Sequence, residues 1–262
     1  MLDRALRVCD KFREEKKNHF FTEADARQMF VEKFISGGGV NRHLVHLEYP
    51  TPYRTSVEGW FAPTDNPKAR RGHYDLLVFS QWFYEALEEK GSGALMGRDI
   101  EQVVQEWRKI LENGQKEAPF ALAVEFKYIT RSWATVDERR GVVRDLSKLW
   151  FSRRFPERVL KTERIALGAP FVAAGLCVVF LKEGDQGAPN AWGEETSTFV
   201  PGNEEDDGVG EARQLLSGQW EPDSRGRRVH WYKKGSQFSL GLVYLPVGEP
   251  KGNAGEPGKP SR

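Results

Sequence analysis

The stretch that decides the fold is FALAVEFKYI at residues 120–129, an apolar segment that carries two charges. Side chains alternate between the faces of a β-strand, so Glu125 and Lys127 lie on one face together with Ala121 and Ala123. The opposite face is apolar or aromatic throughout. Burying a charge is unfavourable unless the charge is paired or binds a metal ion. The segment therefore predicts a core strand whose two charges are either paired or part of a functional site.

A second apolar segment, RRGHYDLLVF at residues 70–79, also reads as a strand and carries Asp75. Two carboxylates and a lysine suit metal-assisted hydrolysis of phosphodiester bonds, because carboxylate oxygens hold hard cations such as Mg²⁺. The lysine can orient or deprotonate the attacking water and offset charge in the transition state. The alternative is a metal-free α/β protein in which Glu125 and Lys127 form a structural salt bridge. The tripeptide alone favours that alternative, and Asp75 shifts the balance toward a metal site.

Composition describes a folded chain of 262 residues, with 39% hydrophobic and 12% aromatic residues. This content argues against an intrinsically disordered chain. Cys9 and Cys177 provide neither a disulfide framework nor zinc-ligand spacing, and Cys177 is expected to be a buried apolar side chain. The N-terminus is too charged for a signal peptide, and the longest apolar run, residues 171–181, is too short to span a bilayer. We expect a soluble cytoplasmic protein with no membrane partner.

Charge is unevenly distributed although the net charge is only +1. That near-neutral value counts modestly against a dedicated non-specific nucleic-acid binder. Residues 131–164 contain ten Lys or Arg and five acids, whereas residues 183–211 contain nine acids and no Lys or Arg. The pattern predicts a basic stripe beside an acidic loop, or, with equal weight, a solvated helix face beside a loop.

The order of predicted elements is helix, strand, strand, helical insertion, strand, helix and strand. Thr22 is the expected N-cap of a helix that reaches about Phe34 and ends at Gly37–Gly39. The next strand should stop at Pro50 and Pro52. Helices are predicted at 2–18, 22–34, 79–90, 99–113 and 135–155; strands are predicted at 43–51, 70–79, 120–129 and 171–181, followed by a hairpin at 227–235 and 238–247. Apolar strands need cover on both faces, so the class is α/β with a mixed α+β sheet.

This order, with an acid on the second strand and E-x-K on the third, resembles the PD-(D/E)-x-K nuclease superfamily. The resemblance covers roughly residues 22–181 and implies a restriction-endonuclease-like core: helix, strand, strand, strand, helix, strand. It implies that Asp75 and Glu125 bind Mg²⁺ or Mn²⁺, that the Phe126 carbonyl is a further ligand, and that Lys127 assists the water. The chain departs from the family signature at Tyr74, which stands where the eponymous proline is found.

The family often adds a glutamate from the preceding helix, and Glu23 is our candidate, with Glu32 as the alternative. The two are nine residues apart on one helix and so cannot both face the site. His73, two residues before Asp75, is an alternative ligand. Some members carry polar residues on the helix after E-x-K; Asp145 and Lys148 either take that place or form a surface ion pair. The predicted nucleic-acid surface consists of Arg139, Arg140, Arg144 and Lys148.

We therefore expect one nuclease-like domain at residues 1–246, with a core at about 22–181, a helical insertion at about 81–115 and an acidic loop at 183–225. Residues 247–262 are predicted to be a disordered tail. The expected function is metal-dependent cleavage of DNA, in preference to RNA, with a possible protein partner at the acidic loop. The alternative is a non-catalytic nucleic-acid-binding or scaffold protein that retains a nuclease fold.

Overall fold

A computed structural model describes twelve stretches of the chain. They are residues 1–14, 22–55, 63–64, 68–89, 100–113, 117–129, 136–159, 170–181, 221–222, 229–233, 235 and 238–246. Residues 15–18 of the first predicted helix, nearly all of the acidic loop at 183–225, and the tail at 247–262 lie outside these described residues.

The described residues form α-helices and a single β-sheet. The helices are α1 Leu2–Glu14, α2 Glu23–Gly38, α3 Gln81–Glu89, α4 Ile100–Glu112 and α5 Val136–Val159. The strands are β1 Val45–Thr55, β2 Pro63–Thr64, β3 Arg70–Phe79, β4 Phe120–Ile129, β5 Ala174–Leu181, β6 Glu221–Pro222, β7 Val229–Lys233 and β8 Ser239–Pro246. The predicted α/β class and the predicted order of elements are confirmed.

The sheet is mixed, with the strand order β2-β1-β3-β4-β5-β8-β7-β6. β3 is antiparallel to both β1 and β4, whereas β4, β5 and β8 run parallel to one another. β5 is buried at every position, as its apolar sequence predicts for a central strand. The predicted C-terminal hairpin forms from β7 and β8, and its second strand extends the sheet beside β5.

Helices cover the two faces of the sheet. Phe126 and Glu125 are consecutive in β4 and so point to opposite faces. Phe126 packs on Phe30 of α2, with ring centroids 5.1 Å apart, whereas Glu125 faces Lys148 of α5. α1 packs on α2 through Phe12, whose ring lies 6.3 Å from that of Phe30 and 5.7 Å from that of Phe180 in β5. The charged face of β4 is therefore the face that α5 covers.

The start of α2 follows the predicted cap. The hydroxyl of Thr22 accepts a hydrogen bond from the backbone N–H of Asp25, and the Asp25 carboxylate accepts one from the N–H of Thr22. This reciprocal capping box satisfies two N–H groups that the first turn would leave unpaired. The helix ends at Gly38, and Gly39 follows in the left-handed region with φ 61°. The cap fixes Glu23 as the first residue of the helix.

The predicted end of β1 at Pro50 and Pro52 is wrong, because the strand continues to Thr55. Proline has no backbone N–H to donate to a neighbouring strand. It is therefore disfavoured in a central strand but tolerated where one side of the strand has no partner. Among the described residues, β2 pairs with β1 only at Arg54 and Thr55, so Pro50 lies where β1 has a single partner strand, β3. A shift in register between Pro50 and Arg54 accommodates the second proline.

β3 and β4 separate at the position that the site occupies. The β3–β4 ladder ends at Leu76 and Val124, whereas β1 and β3 remain paired as far as Thr55 and Arg70. β4 meanwhile continues beside β5 to Ile129. We call the opening between residues 70–75 of β3 and residues 125–129 of β4 the fork.

The predicted insertion between β3 and β4 contains α3 and α4. α4 anchors itself through Trp107, whose ring lies 5.1 Å from that of Phe171. Cys177 is buried in β5, as its apolar setting predicts. None of the helices in the described part of the chain is long and apolar enough to cross a membrane.

Close packing of α5 on β5 yields a testable pair of glycine variants. A Cβ at Gly175 would lie 3.0 Å from Leu149 Cβ and 3.1 Å from Leu240 Cδ1. Because Leu149 Cβ is fixed to the helix, Gly175→Ala must push α5 away from the sheet, and we expect a loss of about 1–3 kcal/mol in the free energy of unfolding. Urea denaturation measures it.

Gly37→Ala is the matched control. A Cβ there meets only the Lys11 ammonium, the far end of a flexible side chain, at 2.8 Å. Since alanine is the better helix former, this variant should gain up to about 1 kcal/mol. Equal effects of the two variants would contradict the packing described for Gly175.

Candidate functional site at the fork

Asp75 lies between the separating strands. Its Oδ2 accepts a hydrogen bond of 2.7 Å from the backbone N–H of Phe126. The carboxylate thus takes an N–H beyond the last pair of the β3–β4 ladder. Burial raises the pKa of Asp75, and the Phe126 N–H partly opposes that rise by favouring the charged form. This acid therefore lies beside the segment of β4 that carries Glu125 and Lys127.

Glu125 is almost completely buried, with 1% of its surface exposed. Its Oε2 lies 2.5 Å from the Lys148 ammonium, and its Oε1 is buried without a hydrogen-bond partner among the described residues. Burial raises the pKa of Glu125 well above its ordinary value; Lys148 lowers that pKa, while Asp145 and Asp75 raise it further. A carboxylate in this position is strongly stabilised by any added positive charge.

Lys127 points into the fork and is shared by two acids. Its ammonium lies 3.0 Å from Asp145 Oδ2 and 4.0 Å from Glu23 Oε2. Burial lowers the pKa of Lys127, but the carboxylates of Asp145 and Glu23 outweigh burial, so the pKa lies above its ordinary value. Lys127 is therefore a cation at neutral pH.

Glu23 is the glutamate that α2 brings to the fork. Its Oε2 accepts a hydrogen bond of 3.2 Å from the backbone N–H of Tyr128, and burial raises its pKa. The alternative, Glu32, instead accepts a hydrogen bond of 3.0 Å from Gln28 on the surface of the same helix. The geometry favours Glu23, because its carboxylate contacts both Lys127 and β4.

Lys148 and Asp145 lie inside the fork, one turn apart on α5. Asp145 is 3% exposed, so the alternative of a surface ion pair is wrong. The Lys148 ammonium donates to Glu125 and to the backbone carbonyl of His73 at 2.7 Å, and it lies 3.8 Å from Asp145 Oδ1. Although burial lowers the pKa of Lys148, Glu125 and Asp145 raise it above its ordinary value.

The predicted nucleic-acid surface must therefore lose Lys148, whose ammonium faces the interior. The other three residues lie on the first three turns of α5 and are partly exposed. Arg140 contacts Asp137 at 3.2 Å, and Arg144 Nε lies 3.9 Å from Asp145 Oδ1. A Cβ at Gly141, next to Arg140, would lie 3.4 Å from Lys127 Cε. This end of α5 thus borders the fork.

A buried hydroxyl network, which the sequence did not indicate, fixes the backbone of Lys148. The hydroxyls of Tyr53 and Ser152 donate to the Lys148 carbonyl at 2.6 and 2.9 Å. The Tyr74 hydroxyl lies 2.5 Å from that of Ser152. Burial raises the pKa of both tyrosines, so they stay neutral. The network ties α5 to β1 and β3 at the position where Lys148 enters the fork.

Arg27 of α2 is a second residue that the sequence did not single out. Its guanidinium lies 3.5 Å from Asp75 Oδ1 and forms a close ion pair with Glu48 of β1. Glu48 has φ 50°, the only positive φ of a residue other than glycine in the described part of the chain. Charged helix residues are common on surfaces, so no sequence signal distinguishes Arg27 from its neighbours.

The fork meets the requirements of a divalent-cation site in part. In the described residues there is no group of three or more His, Cys, Asp or Glu side chains that could hold a metal ion. Mg²⁺ nevertheless usually binds proteins through one or two carboxylates and keeps several waters. Asp75 and Glu125 supply two oxygen donors, and the buried Glu125 Oε1 without a hydrogen bond is the kind of atom that such an ion would satisfy. The residues present therefore fit Mg²⁺ or Mn²⁺.

No protein-family model, curated protein or solved structure matches this chain.

The raised pKa of Asp75 predicts the effect of Asp75→Asn on stability in EDTA. The pKa of Asp75 is higher in the folded protein than in the unfolded chain, so protonation of Asp75 stabilises the folded state. This stabilisation is complete below the unfolded pKa. It is lost as pH rises through the folded pKa. Asp75→Asn should therefore match wild type at acidic pH and be at least as stable at neutral pH.

Urea denaturation across pH measures this difference. Arg27 keeps Glu48 as a partner in the variant, so no lone charge remains. Asp137→Asn, at an acid 88% exposed, is the control and should change stability by less than about 0.5 kcal/mol. A large loss of stability in Asp75→Asn at neutral pH would instead assign Asp75 a structural role.

The Lys148–Glu125 pair predicts a variant and its rescue. Lys148→Met leaves Glu125 buried without its cation, which should cost about 3 kcal/mol in EDTA at neutral pH. Adding Glu125→Gln removes the stranded charge and should restore most of the loss. If the double variant were no more stable than Lys148→Met, the pair would not be the source of the destabilisation.

Proposed function

We propose that the protein is a divalent-metal-dependent nuclease with a restriction-endonuclease-like core, and that DNA is its preferred substrate. The observation that carries the proposal is the convergence of Asp75, Glu125 and Lys127 in the fork. The sequence pattern predicts metal-assisted hydrolysis at these three residues, and each has its charged group in the same opening. The order α2, β1, β3, β4, α5, β5 supports the proposed core topology.

The cost of the fork's charges supports a functional origin. Four carboxylates lie among three basic side chains in a partly or fully buried setting; they are Glu23, Asp75, Glu125 and Asp145, with Arg27, Lys127 and Lys148. A well-packed apolar set is commonly as stable as a buried ionic one, or more so. Clusters of perturbed pKa values in clefts are typical of active sites. A catalytic role accounts for retaining charges that packing does not require.

Asp75, Glu125 and the Phe126 carbonyl are the groups that would hold Mg²⁺ or Mn²⁺. When bound, such an ion supplies Lewis-acid polarisation of a phosphoryl oxygen. Glu23, held by the Tyr128 N–H, sets the negative potential on the far side of Lys127. His73 contributes its backbone carbonyl to Lys148, and its side chain is exposed.

Lys127 is proposed to orient the attacking water and to offset transition-state charge. Its raised pKa keeps it protonated at neutral pH, so it donates hydrogen bonds and is a poor base. Of the two roles that the sequence left open for this lysine, orientation is therefore the one that the electrostatics favour. Asp145 holds the ammonium at 3.0 Å and so limits its position.

The proposed path of the nucleic acid crosses the first turns of α5, where Arg139, Arg140 and Arg144 would meet phosphates. Such contacts give sequence-independent affinity that weakens with salt. A protein partner at the acidic loop, residues 183–225, remains a sequence-based proposal.

One observation favours the alternative of a non-catalytic protein. Lys148 pairs with Glu125, and the Phe126 N–H satisfies Asp75, so much of the fork is already neutralised by the chain itself. Such a network could persist as a structural element of a nucleic-acid-binding or scaffold protein. Activity measurements distinguish it from the nuclease.

Cleavage assays on plasmid DNA, single-stranded DNA and RNA test the proposal. Wild-type protein should cleave with Mg²⁺ or Mn²⁺ and be silent in EDTA. Glu125→Gln and Lys127→Met each remove one charge with little change of shape, and each should lower the rate by about 10²-fold or more. Lys109→Met is the control. The Lys109 side chain is 61% exposed and forms an ion pair with Glu106 on α4.

Two outcomes would reject the nuclease. Cleavage that survives both site variants would come from another source. Salt-dependent binding of DNA that Arg139, Arg140 and Arg144→Gln weakens, without cleavage under any metal condition, would instead establish the non-catalytic alternative.

A further inference from the structure

The geometry points to Arg27 as the chain's own competitor for the cation at Asp75, with Glu48 as the residue that draws Arg27 away. This inference rests on the proposed metal site. It concerns how tightly that site binds a divalent cation, and neither residue belongs to the set of proposed metal ligands.

Arg27 occupies the free side of Asp75. Asp75 Oδ2 is taken by the Phe126 N–H, which leaves Oδ1 for a second partner, and the Arg27 guanidinium lies 3.5 Å from that oxygen. A cation that bound Oδ1 would meet the positive charge of Arg27 at close range. Binding therefore requires that the guanidinium moves away or that its repulsion is overcome.

Glu48 supplies the place to which Arg27 can move. Arg27 already forms its closest contact with Glu48, whose side chain is 56% exposed, whereas Asp75 is 18% exposed. The planar guanidinium presents several N–H groups and can bridge two carboxylates. Arg27 is thus shared between an outer acid and an inner acid, and withdrawal from the inner one does not leave it unpaired.

The backbone at Glu48 supports a specific role for this residue. A left-handed conformation is sterically unfavourable for a residue other than glycine. Such strain is maintained only where surrounding structure imposes it, and it is frequent at functional sites. Here the strained residue is the one whose carboxylate holds Arg27 at the border of the fork.

Opposite effects on metal affinity follow for the two residues. Arg27→Gln removes the competing charge, so Mn²⁺ should bind about tenfold more tightly. Glu48→Gln removes the acid that draws Arg27 outward, so Arg27 stays on Asp75 and Mn²⁺ should bind several-fold more weakly. If Glu48 acts through Arg27, Glu48→Gln should have little effect in a chain that already carries Arg27→Gln.

Titration of the full chain with Mn²⁺, followed by electron paramagnetic resonance of the free ion, measures the four affinities without reference to activity. Thermal unfolding checks that each variant is folded. Should Arg27→Gln fail to fold, Arg27→Met carries the test: it also removes the guanidinium charge, so Mn²⁺ should again bind more tightly than to wild type.

The outcomes separate this inference from the proposed function. If wild type binds Mn²⁺ and Asp75→Asn abolishes binding, the metal site stands. Unchanged affinity in Arg27→Gln, or in Arg27→Met where only that variant folds, would then overturn the inference alone. A Glu48→Gln effect of equal size with and without Arg27 would overturn the coupling. If wild type binds no Mn²⁺ at all, the proposed metal site fails together with the inference.

Discussion

The structure depends on compensating the carboxyl group of Glu125 at a position with 1% exposure. The Lys148 ammonium at 2.5 Å provides the compensation, and Lys148 can reach Glu125 only if α5 lies directly over β4. The contact of Leu149 with Gly175 allows that close approach. The buried carboxyl group of Glu125 therefore requires the ammonium of Lys148, the position of α5 over β4, and a glycine at position 175. Together these features define one side of the fork.

The separation of β3 from β4 follows from the same constraint. Beyond Leu76 and Val124, side-chain groups replace the β-ladder: Asp75 takes the Phe126 N–H, and Lys148 takes the His73 carbonyl. Polar backbone groups that the ladder would pair are thus satisfied by the side chains that form the site. The fork can remain open at low cost because its charged residues also complete the hydrogen bonding of its edges.

Much of the fold and part of the site could be predicted from local patterns. Period-two alternation in β4 predicted the shared face of Glu125 and Lys127, and the capping box of Thr22 fixed the start of α2 and hence Glu23. The direction of Lys148 could not be predicted, because a basic residue on an amphipathic helix is usually solvated. Arg27 and the tyrosine network depend on contacts between distant segments, and the passage of β1 through Pro50 depends on which edge lacks a partner.

The most direct test of the fork as a metal site is an anomalous diffraction map from crystals soaked in Mn²⁺. If the fork binds a metal ion, the map should show a peak between the carboxylates of Asp75 and Glu125. The Lys148 ammonium should then be withdrawn from its 2.5 Å contact with Glu125 Oε2. An empty fork at saturating Mn²⁺, with Lys148 still paired to Glu125, would contradict this account and would identify the cluster as a structural ion network.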